Sequence, residues 1–278
     1  MDDIVSMGVP LEESVSMPSF LMTASGLGFI FLMTCMGAAT VFFFRKSMPG
    51  KFQQIFLGFA AGVMIAASIW SLLIPAIEEA KARGMIGWIP AAIGFVLGIA
   101  FLMVLDHIIP HLHPFTDVPE GPVTKSKRTT LLIFAVTLHN IPEGMAVGLS
   151  FALAAQYSDP VMYSSAIALA LGIGIQNFPE GAAISLPLRQ EGLSARKSFG
   201  LGCLSGAVEP VFGLITVLLA SLIAPLMPWL LSFAAGAMLY VVVEELIPEA
   251  HLGEHTHSGT LGVMAGFLVM MILDVALG

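Results

Sequence analysis

Charge is what this chain has least of. Asp, Glu, Lys and Arg together make up 11% of its 278 residues, less than half the share usual in a soluble domain. No polar stretch is long enough to form a separate soluble domain. Cysteine is scarce too. Cys35 and Cys203 are the only two, they sit far apart in apolar segments, and no metal-type or disulfide-framework spacing exists, so both read as small buried residues. The N-terminus lacks the basic start of a secretory signal and carries Asp2, Asp3, Glu12 and Glu13 instead. There is no HExxH helix motif and no nucleophile motif. The net charge of −8 identifies no partner by itself, and no nucleic acid is expected as one.

What the chain does have is apolar length. Hydrophobic residues make up 57% of it, and runs of about 20 recur from end to end, the length that crosses a bilayer as a helix. The expectation is an all-α polytopic membrane protein: one transmembrane domain over 1–278 with eight helices at about 19–44, 52–79, 87–109, 129–154, 160–188, 196–223, 227–250 and 259–277. Basic residues orient them. Arg45, Lys46, Lys51, Lys125, Lys127, Arg128, Arg189, Arg196 and Lys197 fall in the first, third and fifth connections, and only Lys81 and Arg83 fall on the other side. By the positive-inside rule both termini face outside. Glu78, Glu79 and Asp159 then share that outer face, either as solvated caps or as a weak, salt-screened attractor of cations.

Two kinds of repeat appear. Phe59-Ala60-Ala61-Gly62-Val63-Met64 recurs as Phe233-Ala234-Ala235-Gly236-Ala237-Met238, each followed by an Ile-Pro at Pro75 and Pro248. Val104-Leu105-Asp106 is echoed by Ile272-Leu273-Asp274. Under the charge-derived orientation the repeated helices run in opposite senses. This gives three helices, a central pair, and three helices inverted, an architecture used by many secondary transporters.

The central pair carries the second repeat. His139-Asn140-Ile141-Pro142-Glu143-Gly144 is followed 37 residues later by Gln176-Asn177-Phe178-Pro179-Glu180-Gly181. An ionisable side chain at the middle of a membrane helix costs about 2.5 to 3.5 kcal/mol on insertion scales. Two helices bearing the same costly pattern are expected to share one polar site. His139 and Glu143 share a helix face, as do Gln176 and Glu180. The prolines are expected to bend both helices, and the glycines to admit another backbone. One imidazole, two carboxylates and several amide oxygens suit a borderline divalent cation such as Zn²⁺, Mn²⁺ or Fe²⁺. The competing structural explanation is a pair of protonated glutamates bridging helices.

Further polar groups lie in apolar helices. Glu209, beside Pro210, is the strongest additional ligand candidate; Glu244, Glu245 and Ser71 are weaker, a serine bonded to its own backbone being the commoner case. Asp106 and Asp274 fall near helix ends, where capping or a structural hydrogen bond is expected. His107, His111 and His113 open the third connection, and His251, His255 and His257 lie in the seventh. Both groups fall on the cytoplasmic side of the derived topology and are spaced for transient metal capture.

The segments HNIPEGMAVG, QNFPEG, Glu209-Pro210 and EELIPE resemble the ZIP (Zrt- and Irt-like) family of divalent metal transporters, its GufA-like branch in particular. The resemblance runs through essentially all eight helices. It implies a two-metal centre: His139, Glu143 and Glu180 holding the transported ion with help from Gln176 and Ser71, and Asn140, Asn177, Glu180 and Glu209 forming an adjoining position that Glu143 bridges. It places Glu244, Glu245 and the loop histidines on the release path. Two residues depart from the pattern. Gln176 stands where many relatives have histidine, which lowers selectivity for zinc, and Asn177 stands where GufA-like relatives often have aspartate, which lowers the charge of the second position.

The expected function is import of divalent transition metal, zinc first and then Cd²⁺, Mn²⁺ and Fe²⁺, from outside to cytoplasm by alternating access. The metal is substrate, and no prosthetic group is expected. Partners are divalent ions and the lipid bilayer, with a homodimer left open, and the setting is a bacterial inner membrane. The rivals are an intramembrane metal-dependent hydrolase and an exporter of the same fold.

Overall fold

The computed structural model describes residues 17–43, 50–108, 128–190, 192–250 and 257–277. Every regular element among them is helical: α1 (Met17–Ala38), α2 (Gly50–Ala67), α3 (Ile74–Ala82), α4 (Trp88–Ile108), α5 (Arg128–Tyr157), α6 (Pro160–Gln190), α7 (Ala195–Gly206), α8 (Val208–Leu218), α9 (Ala220–Ile223), α10 (Met227–Val241), α11 (Ile247–Ala250) and α12 (Ser258–Leu277). Several join end to end. Seven stretches of described residues are long and apolar enough to span a membrane: Phe20–Phe42, Gly50–Ala82, Trp88–Leu105, Pro160–Arg189, Ala195–Leu218, Ala220–Leu246 and Ser258–Ala276. α5 is 30 residues long. Large apolar side chains such as Leu32, Val96, Leu97, Leu218, Leu222, Met264 and Val275 are exposed on the outside of the bundle. That is the distribution expected where the surrounding solvent is lipid. The chain is an integral membrane protein.

Proline sets where the helices lose regularity. Pro75 is the second residue of α3, and the turn before it, Ser68–Leu73, opens into a π-helix; Pro248 is the second residue of α11, and Val242–Leu246 opens the same way. A proline ring collides with the carbonyl four residues back and cannot donate to it, and the wider π turn relieves that collision. Pro210 is accommodated differently: α7 stops at Gly206, Ala207 donates to Leu204, and the proline falls in the first turn of α8, where no N–H is needed. Pro142 and Pro179 lie inside α5 and α6, which run as α-helix on both sides of them. Gly84 and Gly192 take positive φ at the tight turns after α3 and α6, and the Ser194 hydroxyl caps α7 by accepting from Lys197 N at 3.3 Å.

The helices pair through small residues. α2 lies along α12, where Gly58 and Gly62 meet the backbone carbonyls of Gly259 and Val263. α4 lies along α10, where Gly98 meets Phe233 and Gly236 meets Phe95. α1 lies along α6, where Gly37 meets Phe178 and Gly181 meets Thr34. α5 lies along α8, where Gly144 meets Glu209 and Gly148 meets Gly213. Backbones this close need glycine at the contact. One continuous core runs through them, built on residues such as Ile30, Met64, Leu149, Phe151, Ile173 and Leu231.

Glu79 departs from the expected solvated cap. It is buried, forms an ion pair with Arg83 one turn on, and accepts a 2.7 Å hydrogen bond from the Tyr157 hydroxyl at the end of α5. Glu78 is exposed.

Candidate metal centre

α5, α6 and α8 bring the motif residues together. Asn140 and Glu143 come from α5, Gln176, Asn177 and Glu180 from α6, and Glu209 from the first turn of α8. Asn140, Glu143, Gln176, Asn177 and Glu209 are buried, and Glu180 is half-buried. The three carboxylates lie close enough for each to act electrostatically on another. The contact of Gly144 with the Glu209 backbone draws α8 against α5, and a Cβ on Gly144 would stand 2.5 Å from Glu209 Cα. Gly181, in the copy of the motif, does the same between α6 and α1.

The hydrogen bonds divide by chemistry. Gln176 Nε2 donates to Glu143 Oε1 at 2.9 Å, Asn177 Nδ2 to Glu209 Oε2 at 2.8 Å and to the Ile30 carbonyl at 3.4 Å, and Asn140 Nδ2 to the Ser205 carbonyl at 3.2 Å. Each amide therefore turns its nitrogen to a protein oxygen. The atoms left buried with no hydrogen-bond partner are oxygens: Asn140 Oδ1, Glu143 Oε2, Gln176 Oε1, Asn177 Oδ1 and Glu209 Oε1. A buried acceptor without a partner costs about 1–3 kcal/mol, and five in one cluster exceed what packing explains. Their common property is a lone pair, which a bound cation uses. Among the described residues, no three His, Cys, Asp or Glu side chains are gathered as a ready cage; the donor set mixes carboxylates with carboxamides, and hard oxygen donors accept divalent ions in that mixture.

Most of the remaining candidates lie on other elements. Ser71 donates to Asp274 Oδ1 at 2.6 Å, which joins the π turn after α2 to α12. The bond is the hydrogen-bonding alternative to capping expected at Asp274, and it is not the bond to its own backbone that is commoner for serine. Ser68 does bond its own backbone, at Met64 O. In the π turn before α11, Glu245 is buried and Glu244 is exposed. His107, in the last turn of α4, and His257, just before α12, are exposed. His111, His113, His251 and His255 lie outside the described residues, as do the side chains of His139 and Asp106. Two participants carry no sequence signal: the carbonyls of Ile30 and Ser205, which hold the two asparagines, are backbone groups.

Fold and site together define a polytopic helical membrane protein with a buried, cation-suited centre among its helices. Comparison with known proteins gives the class its family. Residues 122–274 match the family model described as ZIP Zinc transporter. Human Zinc transporter ZIP11 is 37% identical over 91% of this chain and 96% of its own length; the Myxococcus xanthus Zinc transporter GufA is 39% identical over 92% and 95%; and the Bordetella bronchiseptica Zinc transporter ZIPB is 38% identical over 89% and 79%. The chain belongs to the ZIP zinc transporter family.

Proposed function

We propose that this protein imports divalent transition metal, zinc foremost, from the outside to the cytoplasm by alternating access through the centre on α5, α6 and α8. The observation that carries this is the set of five buried acceptor oxygens on three helices, each amide turned so that its oxygen is left for a cation. The names of the relatives, all zinc transporters, agree with it. In this reading Glu143, Glu180, Gln176 and the imidazole of His139 hold the travelling ion. Asn140, Asn177 and Glu209 form the adjoining position, and Glu245, with the histidines near the ends of α4 and α12, lines the way out.

The helix pairing supports an inverted repeat. With α7–α8 counted as one span and α5 as an eighth, the pairs are first with fifth, sixth with fourth, second with eighth, and seventh with third. Each pair maps onto another under exchange of the two halves. The two π turns, at Ser68–Leu73 and Val242–Leu246, fall at related places in those halves. A site held mainly within one bundle, with the α2–α12 and α4–α10 pairs beside it, suits rocking of one bundle against the other. Both termini then face outside, in a bacterial inner membrane.

The test is metal flux into proteoliposomes of known protein orientation loaded with a metal-sensitive dye, comparing wild type with Glu143→Gln and Glu180→Gln across Zn²⁺, Cd²⁺, Mn²⁺ and Fe²⁺. Inward zinc flux that collapses in both variants is the expected result. Flux in the outward sense alone makes the protein an exporter, and metal binding without flux in any protein overturns transport.

A further inference from the structure

The only two cysteines in the chain are 168 residues apart in sequence, yet they meet across α1 and α7. The thiols of Cys35 and Cys203 lie close enough to influence one another electrostatically. The packing around them fixes this. A Cβ on Gly206 would stand 2.7 Å from Thr34 Cγ2, and one on Gly202 would stand 2.8 Å from Ala38 Cβ. These two contacts bracket Cys35 on one helix and Cys203 on the other, so the helices close to small-residue distance at the level of both cysteines. Both residues are half-buried, and both are free thiols. Cys35 is also near enough to Glu209 for their charges to interact, and Glu209 Oε1 is one of the buried oxygens without a partner.

We propose that Cys35 and Cys203 form a two-coordinate site for a soft monovalent cation, of the Cu(I) and Ag(I) class, adjoining the oxygen-rich centre. The chemistry separates the two sites. Carboxylate and carboxamide oxygens favour harder divalent ions, whereas thiolates select soft d¹⁰ ions. A linear S–metal–S arrangement needs two ligands and no third. On binding, two S–H bonds break, two sulfur–metal bonds form and two protons leave for solvent; nothing is oxidised or reduced. The same two helices supply the carbonyls of Ile30 and Ser205 that hold Asn177 and Asn140, so a metal clamped between them stiffens the supports of the divalent centre and slows zinc passage.

The experiment uses the full-length protein, reduced, in lipid nanodiscs, with Ag⁺ as the probe. Native mass spectrometry counts bound silver, ultraviolet absorption follows the thiolate–metal band, and a pH indicator counts released protons. Wild type is expected to take one Ag⁺ and release two protons. C35A/C203A, and each of C35S and C203S alone, should bind at least about 100-fold more weakly. Zinc flux through C35A/C203A should match wild type without silver, and equimolar Ag⁺ should slow only the wild type. Undiminished silver binding in the double variant, which would place the ion on methionines, overturns the proposal; so does a reduced wild type that takes no silver or releases no protons. The single variants cover the case in which the double does not fold. The binding readouts do not depend on zinc transport, so failure of zinc flux and failure of this site are separately visible.

Discussion

The contact of Gly144 with Glu209 is open to a direct perturbation. In Gly144→Ala the new methyl would stand 2.5 Å from Glu209 Cα and closer still to its carbonyl oxygen. Ordinary carbon contacts lie near 3.5–4.0 Å, so α5 and α8 must part by about 1 Å, and both obstructing atoms are backbone. Overpacking of this kind costs about 1–3 kcal/mol. Alanine returns about 1 kcal/mol of helix propensity, which leaves a net loss of about 0–2 kcal/mol. The functional effect should be larger than the stability effect. A shift of about 1 Å carries Glu209 out of its 2.8 Å bond with Asn177, and displacement on that scale has cost about 100-fold where geometry matters. We expect zinc flux in proteoliposomes to fall at least tenfold while the melting temperature drops by only a few degrees. Gly28→Ala is the control: it lies in α1, and a Cβ there meets nothing within 4 Å, so flux should be unchanged and stability equal or slightly higher. Wild-type flux through Gly144→Ala would refute the claim that this contact sets the site.

Other substitutions test separate parts of the structure. Asn177→Asp replaces the donor to Glu209 with a like charge; the metal-free protein should melt lower than wild type, and the rise in melting temperature on adding zinc should be larger, both read by thermal shift with and without chelator. Ser71→Ala leaves both oxygens of Asp274 without a protein partner and should cost about 1–3 kcal/mol of stability, with the zinc concentration for half-maximal flux nearly unchanged; a large change in that concentration would make Ser71 a ligand. Arg83→Met removes the cation beside buried Glu79 and should destabilise more than Glu79 and Arg83 changed together, because the lone carboxylate is the costly species; a double-mutant cycle measures this.

Much of the site is legible in the amino-acid sequence. The paired N-x-P-E-G segments point to one shared polar centre on α5 and α6, and Glu209 beside Pro210 is legible because an isolated carboxylate in an apolar helix needs partners. Gly144 and Gly181 mark close backbone approach, which is what they make. Three things are not legible. The carbonyls of Ile30 and Ser205 act through backbone, to which side-chain patterns are blind. The Ser71–Asp274 bond joins residues 203 apart, and nothing local signals it. Glu79 reads as a solvated cap from its place at a helix end; its hydrogen bond comes from Tyr157, 78 residues away, and nothing local signals that partner.

The bond between Tyr157 and Glu79 has a consequence for turnover. It connects the rod made of α2 and α3 to the helix that presents Asn140 and Glu143, and its acceptor is a charged group, for which a hydrogen bond is worth about 1.5–3 kcal/mol. Any motion that slides α5 past α3 must give it up. The bond therefore acts as a detent: it weights the arrangement described here by about tenfold to a hundredfold over one in which the contact is broken. Under the alternating access proposed above, Tyr157→Phe would remove that weight and change how the protein divides its time between its end states without altering what it binds.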